Sequence, residues 1–146
     1  MITPETNRRI SYRGILQASI GYHGFVDLYQ NRVLPKKTRT LRLLGRKGEA
    51  KIIHTLLGYE VQAAYKRIHC PDMVTARYLK LFSELGCHSV KLPYDPTLTA
   101  ELIPQFEAMI DAIAHRVAEI YPKDIQKQRF VIRNLFAIIR RQLRNT

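Results

Sequence analysis

The first part of the chain alternates between apolar and polar positions. Every even-numbered residue from 10 to 28 is apolar or glycine, whereas many odd-numbered residues are polar. Successive side chains of a strand point to opposite faces, so this alternation favours a half-buried strand pair with a reversal at 21–24, GYHG. A helix is the alternative, which Gly14, Gly21 and Gly24 would each weaken by about 1 kcal/mol. Residues 37–44 predict a third strand or an extended arm after Pro35.

Helical spacing replaces alternation from residue 49 onward. Ile53, Leu57, Ala64 and Ile68 share one stripe, which predicts a helix over 49–68 that Gly58 would divide. A second helix is predicted from residue 71 to Gly86, a residue type that commonly ends helices. Residues 88–92, HSVKL, alternate again and predict a strand.

Two long helices are predicted at the end of the sequence. Apolar residues recur at spacings of three and four over 99–121, and a second such pattern runs from about 124 to 144. The break at Tyr121-Pro122 is short, which predicts an antiparallel helix hairpin. We therefore expect a single α+β domain, 1–146, with a short N-terminal antiparallel sheet (1–45 strand-rich) followed by a mainly helical body (46–146) that ends in this hairpin.

Residues 49–92 also have the element order of a winged helix-turn-helix. The helix from Met73 to Leu85 would then be the recognition helix, and Arg77 and Lys80 would meet DNA bases. The segment 69–71 lacks the usual turn glycine, and the helix presents only two basic residues outward. An ordinary compact helical packing of the same segments is the alternative.

The composition is that of a globular protein without a membrane span or a disulfide scaffold. The apolar fraction of 46% and the charged fraction of 25% are those of a globular protein. No apolar run reaches the roughly 18 residues of a membrane span, and 1–14 does not resemble a secretory signal. Cys70 and Cys87 are too few for a disulfide scaffold. We therefore expect a cytoplasmic protein without membrane association.

The net charge of +12 is concentrated in two stretches of the chain. Residues 31–51 hold eight basic residues against Glu49, and residues 123–146 hold seven against Asp124. An excess of positive charge localised in this way points to a polyanionic partner.

Four arginines of the predicted last helix lie on one face of it. At 100° per residue, Arg129, Arg133, Arg140 and Arg144 fall within an arc of about 60°. Arginine binds phosphate in a bidentate fork, so this face predicts anion binding. The alternative is that Glu101, Glu107, Asp111 and Glu119 of the preceding helix neutralise it.

The sequence therefore predicts a non-catalytic nucleic-acid-binding protein that contacts phosphate backbones through 32–51 and the last helix, with DNA or RNA as partner. The predicted nucleic-acid-binding residues are Lys36, Lys37, Arg39, Arg42, Arg46, Lys47, Arg77, Lys80, Arg129, Arg133, Arg140 and Arg144. Tyr12, Tyr22 and Tyr29 would stack on bases if the target is RNA or single-stranded DNA, whereas a core role is the alternative for Tyr12 and Tyr22, which fall on the apolar even-numbered face. The alternative is a basic adaptor or structural subunit that docks on acidic protein partners in a larger assembly. The amphipathic hairpin would also allow a homodimer.

Catalytic chemistry has little support in the sequence. No glycine-rich phosphate loop, nucleophile elbow or HExxH motif is present. Asp27 with Glu49 and Lys51 has the acid…ExK arrangement of metal-dependent nucleases, which would require Lys51 on a strand. The intervening helix argues against a zinc site from His69-Cys70 and Cys87-His88, because it would hold the two pairs about 20 Å apart. We expect no catalytic residue, no metal and no cofactor.

Overall fold

The structure is a computed structural model that describes residues 11–43, 49–64 and 66–146. In these ranges the chain forms five α-helices and five antiparallel strands in two sheets, which confirms the α+β class. The helices are α1 (Tyr12–Ser19), α2 (Gly24–Leu28), α3 (Met73–Glu84), α4 (Pro96–Ile120) and α5 (Ile125–Arg144). The strands are β1 (Thr38–Arg42), β2 (Ala50–Thr55), β3 (Gly58–Ala63), β4 (Lys66–Cys70) and β5 (Ser89–Pro93). A π-helical turn, Tyr29–Val33, continues α2.

The predicted strand pair over 10–28 is wrong, because this segment forms α1 and α2. Ser11 caps α1 by accepting a hydrogen bond on its Oγ from the backbone N–H of Gly14 at 3.0 Å. The prediction relied on the apolar even-numbered positions and disregarded Ile15 and Phe25, two odd-numbered residues that are buried in the core. Gly21, with a φ of +78°, ends α1 in the left-handed conformation and does not turn a hairpin.

The predicted helix over 49–68 is also wrong, because this segment forms the antiparallel sheet β2–β3–β4. Ile52, Val61 and Ile68 lie opposite one another across the three strands and line the side of the sheet that packs on the core. A helical stripe would instead have buried Leu57, which lies 83% exposed at the tip of the β2–β3 hairpin. Glu49 therefore leads into a strand.

The winged helix-turn-helix prediction for 49–92 is wrong for the same reason. Such a motif needs two successive helices, whereas the described residues of this segment contain only α3, preceded by three strands. Arg77 and Lys80 do lie on α3, but this helix is not the second helix of a DNA-reading pair.

The remaining predicted elements are confirmed. Strand β1 lies within 37–44, α3 ends before Gly86, and β5 covers the HSVKL segment from Ser89 onward. Helices α4 and α5 form the hairpin, and Asp124 caps α5 by accepting a hydrogen bond from the Lys127 N–H at 3.0 Å. None of the helices in the described ranges combines the length and apolarity needed to cross a lipid bilayer.

Two tyrosine hydroxyls fix the position of β5 in the core. The hydroxyl of Tyr78 donates to the carbonyl oxygen of Lys91 at 2.7 Å, and the backbone N–H of Lys91 donates to the hydroxyl of Tyr29 at 2.9 Å. Both rings contact Phe82 within a buried aromatic cluster. Strand β5 pairs with β1 on its other edge, so Lys91 is held at both edges of its strand.

Candidate nucleic-acid interface

The arginine face of α5, formed by Arg129, Arg133, Arg140 and Arg144, lies opposite the buried face of the helix. Val131, Leu135 and Ile139 are the fully buried residues of α5. At 100° per residue their mean direction is about 150° from the centre of the arginine arc, although Ile139 lies only about 80° from its nearest edge. Arg129, Arg133 and Arg144 are exposed, whereas Arg140 is half-buried.

Three of the four acids that were expected to neutralise this face lie against other residues. Glu101 binds Arg32 at 2.7 Å, Glu107 binds Arg77, and Glu119 lies 3.7 Å from His115. Within 11–43, 49–64 and 66–146, no ion pair joins an acidic side chain to any residue of the arginine face. The four positive charges therefore stand together without internal compensation from the described acids.

Arg140 is anchored where α3 ends. Its Nη1 donates a hydrogen bond to the main-chain carbonyl of Leu85 at 2.5 Å. The following residue, Gly86, has a φ of +86°, and a Cβ at this position would lie 3.0 Å from Nη1 of Arg140. The guanidinium thus covers the carbonyl end of α3, where the helix dipole favours a cation.

A cavity of about 520 Å³ lies beside Arg140, between the β1–β5 pair and the C-terminal ends of α3 and α5. Its basic side chains are Lys91, Arg140 and Arg144, joined by His88. No Asp or Glu of the part of the chain that the structure describes lines it. Its other lining residues are Tyr29, Leu34, Thr40, Phe82, Gly86, Cys87, Ser89, Val90, Leu143 and Thr146.

The cavity joins the two basic stretches of the sequence. Thr40 belongs to the first stretch, Arg140 and Arg144 belong to the second, and all three line the same space. Lys91 lies between them, and its Nζ donates to the Oγ1 of Thr40 at 2.6 Å. Lys91 was missed in the sequence because it lies outside both stretches, although its outward position in a predicted strand was a usable signal.

Strand β1 divides its basic residues between two faces. Arg42 pairs with Ser89, and Thr40 pairs with Lys91, so these four side chains share the outer face of the β1–β5 pair. Arg39 lies on the opposite face but is exposed.

The other predicted residues of this stretch are Lys36, Lys37, Arg46 and Lys47. Lys36 and Lys37 are exposed just before β1. The Nζ of Lys37 lies 5.7 Å from the ring centroid of Tyr94. Arg46 and Lys47 lie outside the described residues.

Arg77 and Lys80 each form an ion pair with a glutamate. The Nε of Arg77 donates to Glu107 at 3.1 Å, a second guanidinium nitrogen binds the other oxygen of that carboxylate, and this pairing raises the pKa of Arg77. Lys80 binds Glu84 at 2.9 Å. Glu84 also accepts from the backbone N–H of Ala50 at 3.1 Å. These side chains connect α3 to α4 and to β2. The base contacts predicted for Arg77 and Lys80 depended on a winged helix-turn-helix, which this segment does not form.

The tyrosines differ in accessibility. Tyr29 is 6% exposed, and burial raises the pKa of its hydroxyl. It is therefore not a surface platform for stacking. Tyr12 and Tyr22 are half-buried, and the Arg13 guanidinium lies 4.1 Å from the ring centroid of Tyr22.

The thiols and the nuclease-like residues show no reactive arrangement. Burial raises the pKa of both Cys70 and Cys87 to about 11, so both thiols stay protonated at neutral pH. Lys51 lies on β2, as the nuclease pattern requires, whereas Asp27 lies on α2. The described residues contain no group of three or more His, Cys, Asp or Glu side chains placed to hold a metal ion. Comparison of the chain with protein-family models, with curated proteins and with solved structures gave no match.

Proposed function

We propose that this protein binds nucleic acid without catalysing a reaction on it. The observation that carries the proposal is the arginine face of α5, which has no acidic partner among the described residues although four acids of α4 were available to it. Glu101 and Glu107 bind Arg32 and Arg77 instead, and Glu119 lies 3.7 Å from His115.

The energetics of this face support an anionic partner. Arg129–Arg133 and Arg140–Arg144 are i, i+4 pairs of like charge, and each pair destabilises an isolated helix by about 0.2–0.5 kcal/mol. An anion bound between them removes this repulsion, and each guanidinium can then bind a phosphate through two parallel hydrogen bonds. The face spans about 22 Å along the helix, a length that corresponds to about six base-pair steps.

The proposed interface combines this face with the outer face of the β1–β5 pair. Arg42 and Lys91 supply further cations there, and the hydroxyls of Thr40 and Ser89 are suitable donors to phosphate oxygens. Exposed Lys36 and Lys37, which precede β1, would extend the positive surface, whereas Arg39 is exposed on the opposite face of the strand. Arg77 and Lys80 are left out of the interface because their charges are already compensated.

A basic adaptor for acidic proteins is the second candidate, and one observation favours it. Leu56 and Leu57 form the two-residue tip of the β2–β3 hairpin, and they are 104% and 83% exposed. Ile53 of the same hairpin is also exposed. Adjacent exposed apolar residues are typical of protein–protein contacts, whereas phosphate contacts do not require them.

Fluorescence anisotropy over a series of salt concentrations tests the proposal. Labelled duplex DNA, single-stranded DNA and RNA of equal length would be titrated with the wild type and with Arg129→Gln/Arg133→Gln. Both arginines are exposed, so their loss leaves the core intact. For duplex DNA we expect weaker binding and a slope of log K against log salt that is shallower by about 1.8, or 0.9 per lost phosphate contact.

The matched control is Arg116→Gln/Lys123→Gln, which removes the same charge from exposed positions outside the arginine face. It should change the slope much less than the variant in α5. Equal effects of the two variants would mean that only net charge matters, which would contradict a defined interface. Absence of binding to every probe near physiological salt would reject the proposal in favour of the adaptor.

A further inference from the structure

The cavity beside Arg140 has features that contacts along a nucleic-acid backbone do not require. Backbone phosphates need only exposed cations, whereas this cavity is a concave space of about 520 Å³ with both a charged and an apolar side. That volume falls within the roughly 300–1,000 Å³ that is usual for small-molecule sites. We propose that the cavity binds a phosphate monoester carried by a group of nucleotide size.

The charge of the cavity favours a monoester over an internal phosphodiester. Lys91, Arg140 and Arg144 give it three cations, and no acidic side chain from the described ranges opposes them. A phosphodiester carries one negative charge, whereas a phosphate monoester carries about −1.5 to −2 at pH 7. The monoester therefore compensates more of the charge that converges here.

Two of the cations are held in place before a ligand arrives. The hydrogen bond from Arg140 to Leu85 uses one guanidinium N–H out of five, so four donors remain. The backbone of Lys91 is fixed by Tyr29 and Tyr78, and its ammonium donates to Thr40 while keeping two further donors. Donors that are fixed in advance lose less entropy when the anion binds.

The apolar side of the cavity indicates that the ligand is larger than phosphate. Leu34, Phe82, Val90 and Leu143 line it together with the ring of Tyr29. Phe82, Val90 and Tyr29 are already almost fully buried, whereas Leu34 and Leu143 are only half-buried. Inorganic phosphate would leave these two leucines partly exposed, whereas a base and sugar would cover them. The Cys87 thiol also lines the cavity, and burial raises its pKa so that it is protonated at neutral pH.

The ligand has two sources with the same chemistry. One is the phosphorylated terminal nucleotide of a strand bound along α5, which rests on the function proposed above. The other is a free nucleoside monophosphate, which does not depend on that function. Both would place the monoester between Lys91, Arg140 and Arg144.

The test compares matched single-stranded oligonucleotides that carry a 5′-phosphate, a 3′-phosphate or only hydroxyl ends. Anisotropy gives their Kd values, and the midpoint of thermal unfolding is measured with a nucleoside monophosphate, the nucleoside and inorganic phosphate. We expect one phosphorylated end to bind roughly tenfold more tightly than the hydroxyl ends, as one or two charge-assisted hydrogen bonds would give. Lys91→Gln should abolish that difference, whereas Arg129→Gln should weaken all oligonucleotides alike.

The outcomes separate this inference from the proposed function. Equal Kd values for all ends, together with no Lys91-dependent thermal shift from the monophosphate, would overturn the inference and leave backbone binding in place. A Lys91-dependent shift without binding of any oligonucleotide would reject the proposed function and support the free nucleotide as ligand. An equal shift with inorganic phosphate would contradict a site of nucleotide size.

Discussion

The guanidinium of Arg140 on α5 binds the carbonyl oxygen of Leu85 at the end of α3, across 55 residues of sequence. The same side chain lines the basic cavity. Arg140 therefore links the end of α3 to the charge of the candidate site. Its approach depends on the absence of a side chain at Gly86.

Gly86→Ala should destabilise the protein by about 1–2 kcal/mol. The new Cβ would occupy a left-handed backbone conformation and would lie 3.0 Å from Nη1 of Arg140. Urea unfolding measures the change in the free energy of unfolding. Gly24→Ala is the matched control, because its Cβ would meet Ile20 at an ordinary 3.7 Å, and it should not destabilise. An unchanged stability for Gly86→Ala would contradict the described helix end.

Tyr78→Phe should cost about 1–2 kcal/mol of stability, because it leaves the buried carbonyl oxygen of Lys91 without its hydroxyl donor. Tyr59→Phe is a suitable control, since Tyr59 is only half-buried in β3. Thermal or urea unfolding of the two variants gives the comparison. A loss as small as that of the control would mean that β5 does not need this hydrogen bond.

The pair Arg77–Glu107 should show a measurable coupling energy of about 1 kcal/mol in a double-mutant cycle. Its two hydrogen bonds are bidentate and half-buried, conditions under which a surface ion pair contributes most. Arg67–Glu60 is the internal comparison, because its atoms are 3.8 Å apart, Arg67 is 71% exposed, and its coupling should be close to zero. Arg77→Gln should also leave nucleic-acid affinity nearly unchanged, whereas a large loss would return Arg77 to the interface.

Stability should fall as pH rises from about 9 to about 11. Burial raises the pKa of Cys87 from 9.0 to about 11 in the folded protein. In this interval the unfolded chain releases the thiol proton while the folded protein retains it, so the free energy of unfolding decreases. The limiting slope is about 1.4 kcal/mol per pH unit for each such thiol. Urea unfolding of Cys87→Ala should show a smaller decrease, and an identical pH dependence would contradict the burial of this thiol.

Leu56→Ser/Leu57→Ser should change the free energy of unfolding by less than about 0.5 kcal/mol, because both side chains already lie in solvent. Val61→Ala in the same sheet should cost about 2 kcal/mol, since Val61 is buried. If the double variant keeps nucleic-acid affinity but loses binding to an acidic protein, the adaptor candidate gains support. Loss of nucleic-acid affinity would instead place the hairpin tip in the interface.

Local patterns were sufficient for the elements whose burial follows one strong periodicity. Helices α4 and α5 carry long apolar stripes, and Gly86 marks the end of α3, so all three were predictable. The arginine face was predictable because it needs only the helical period. The segment 49–68 was wrongly predicted to be a helix because its apolar residues fit helical spacing. The two-residue turn at Leu56-Leu57 also has none of the residues that usually form such turns.

The candidate site depends on distant parts of the sequence and was only partly predictable. Tyr29, Thr40, Lys91 and Arg140 meet in one cavity because β5 pairs with β1 and Arg140 of α5 reaches the carbonyl of Leu85 at the end of α3. The sequence also does not show which basic residue each acid of α4 pairs with. Glu107 binds Arg77 and leaves the arginine face uncompensated. Such pairings are decided by tertiary packing, which no local window contains.

The two tyrosine hydroxyls on Lys91 also determine how another polypeptide can meet this part of the molecule. A strand edge with free N–H and C=O groups is a template for pairing with a second chain. At Lys91 both groups of the outer edge of β5 are already bound by Tyr29 and Tyr78. A foreign strand therefore cannot extend the sheet along β5 without breaking these buried bonds, and an incoming partner meets the side chains of Thr40, Ser89 and Lys91 instead of the peptide backbone.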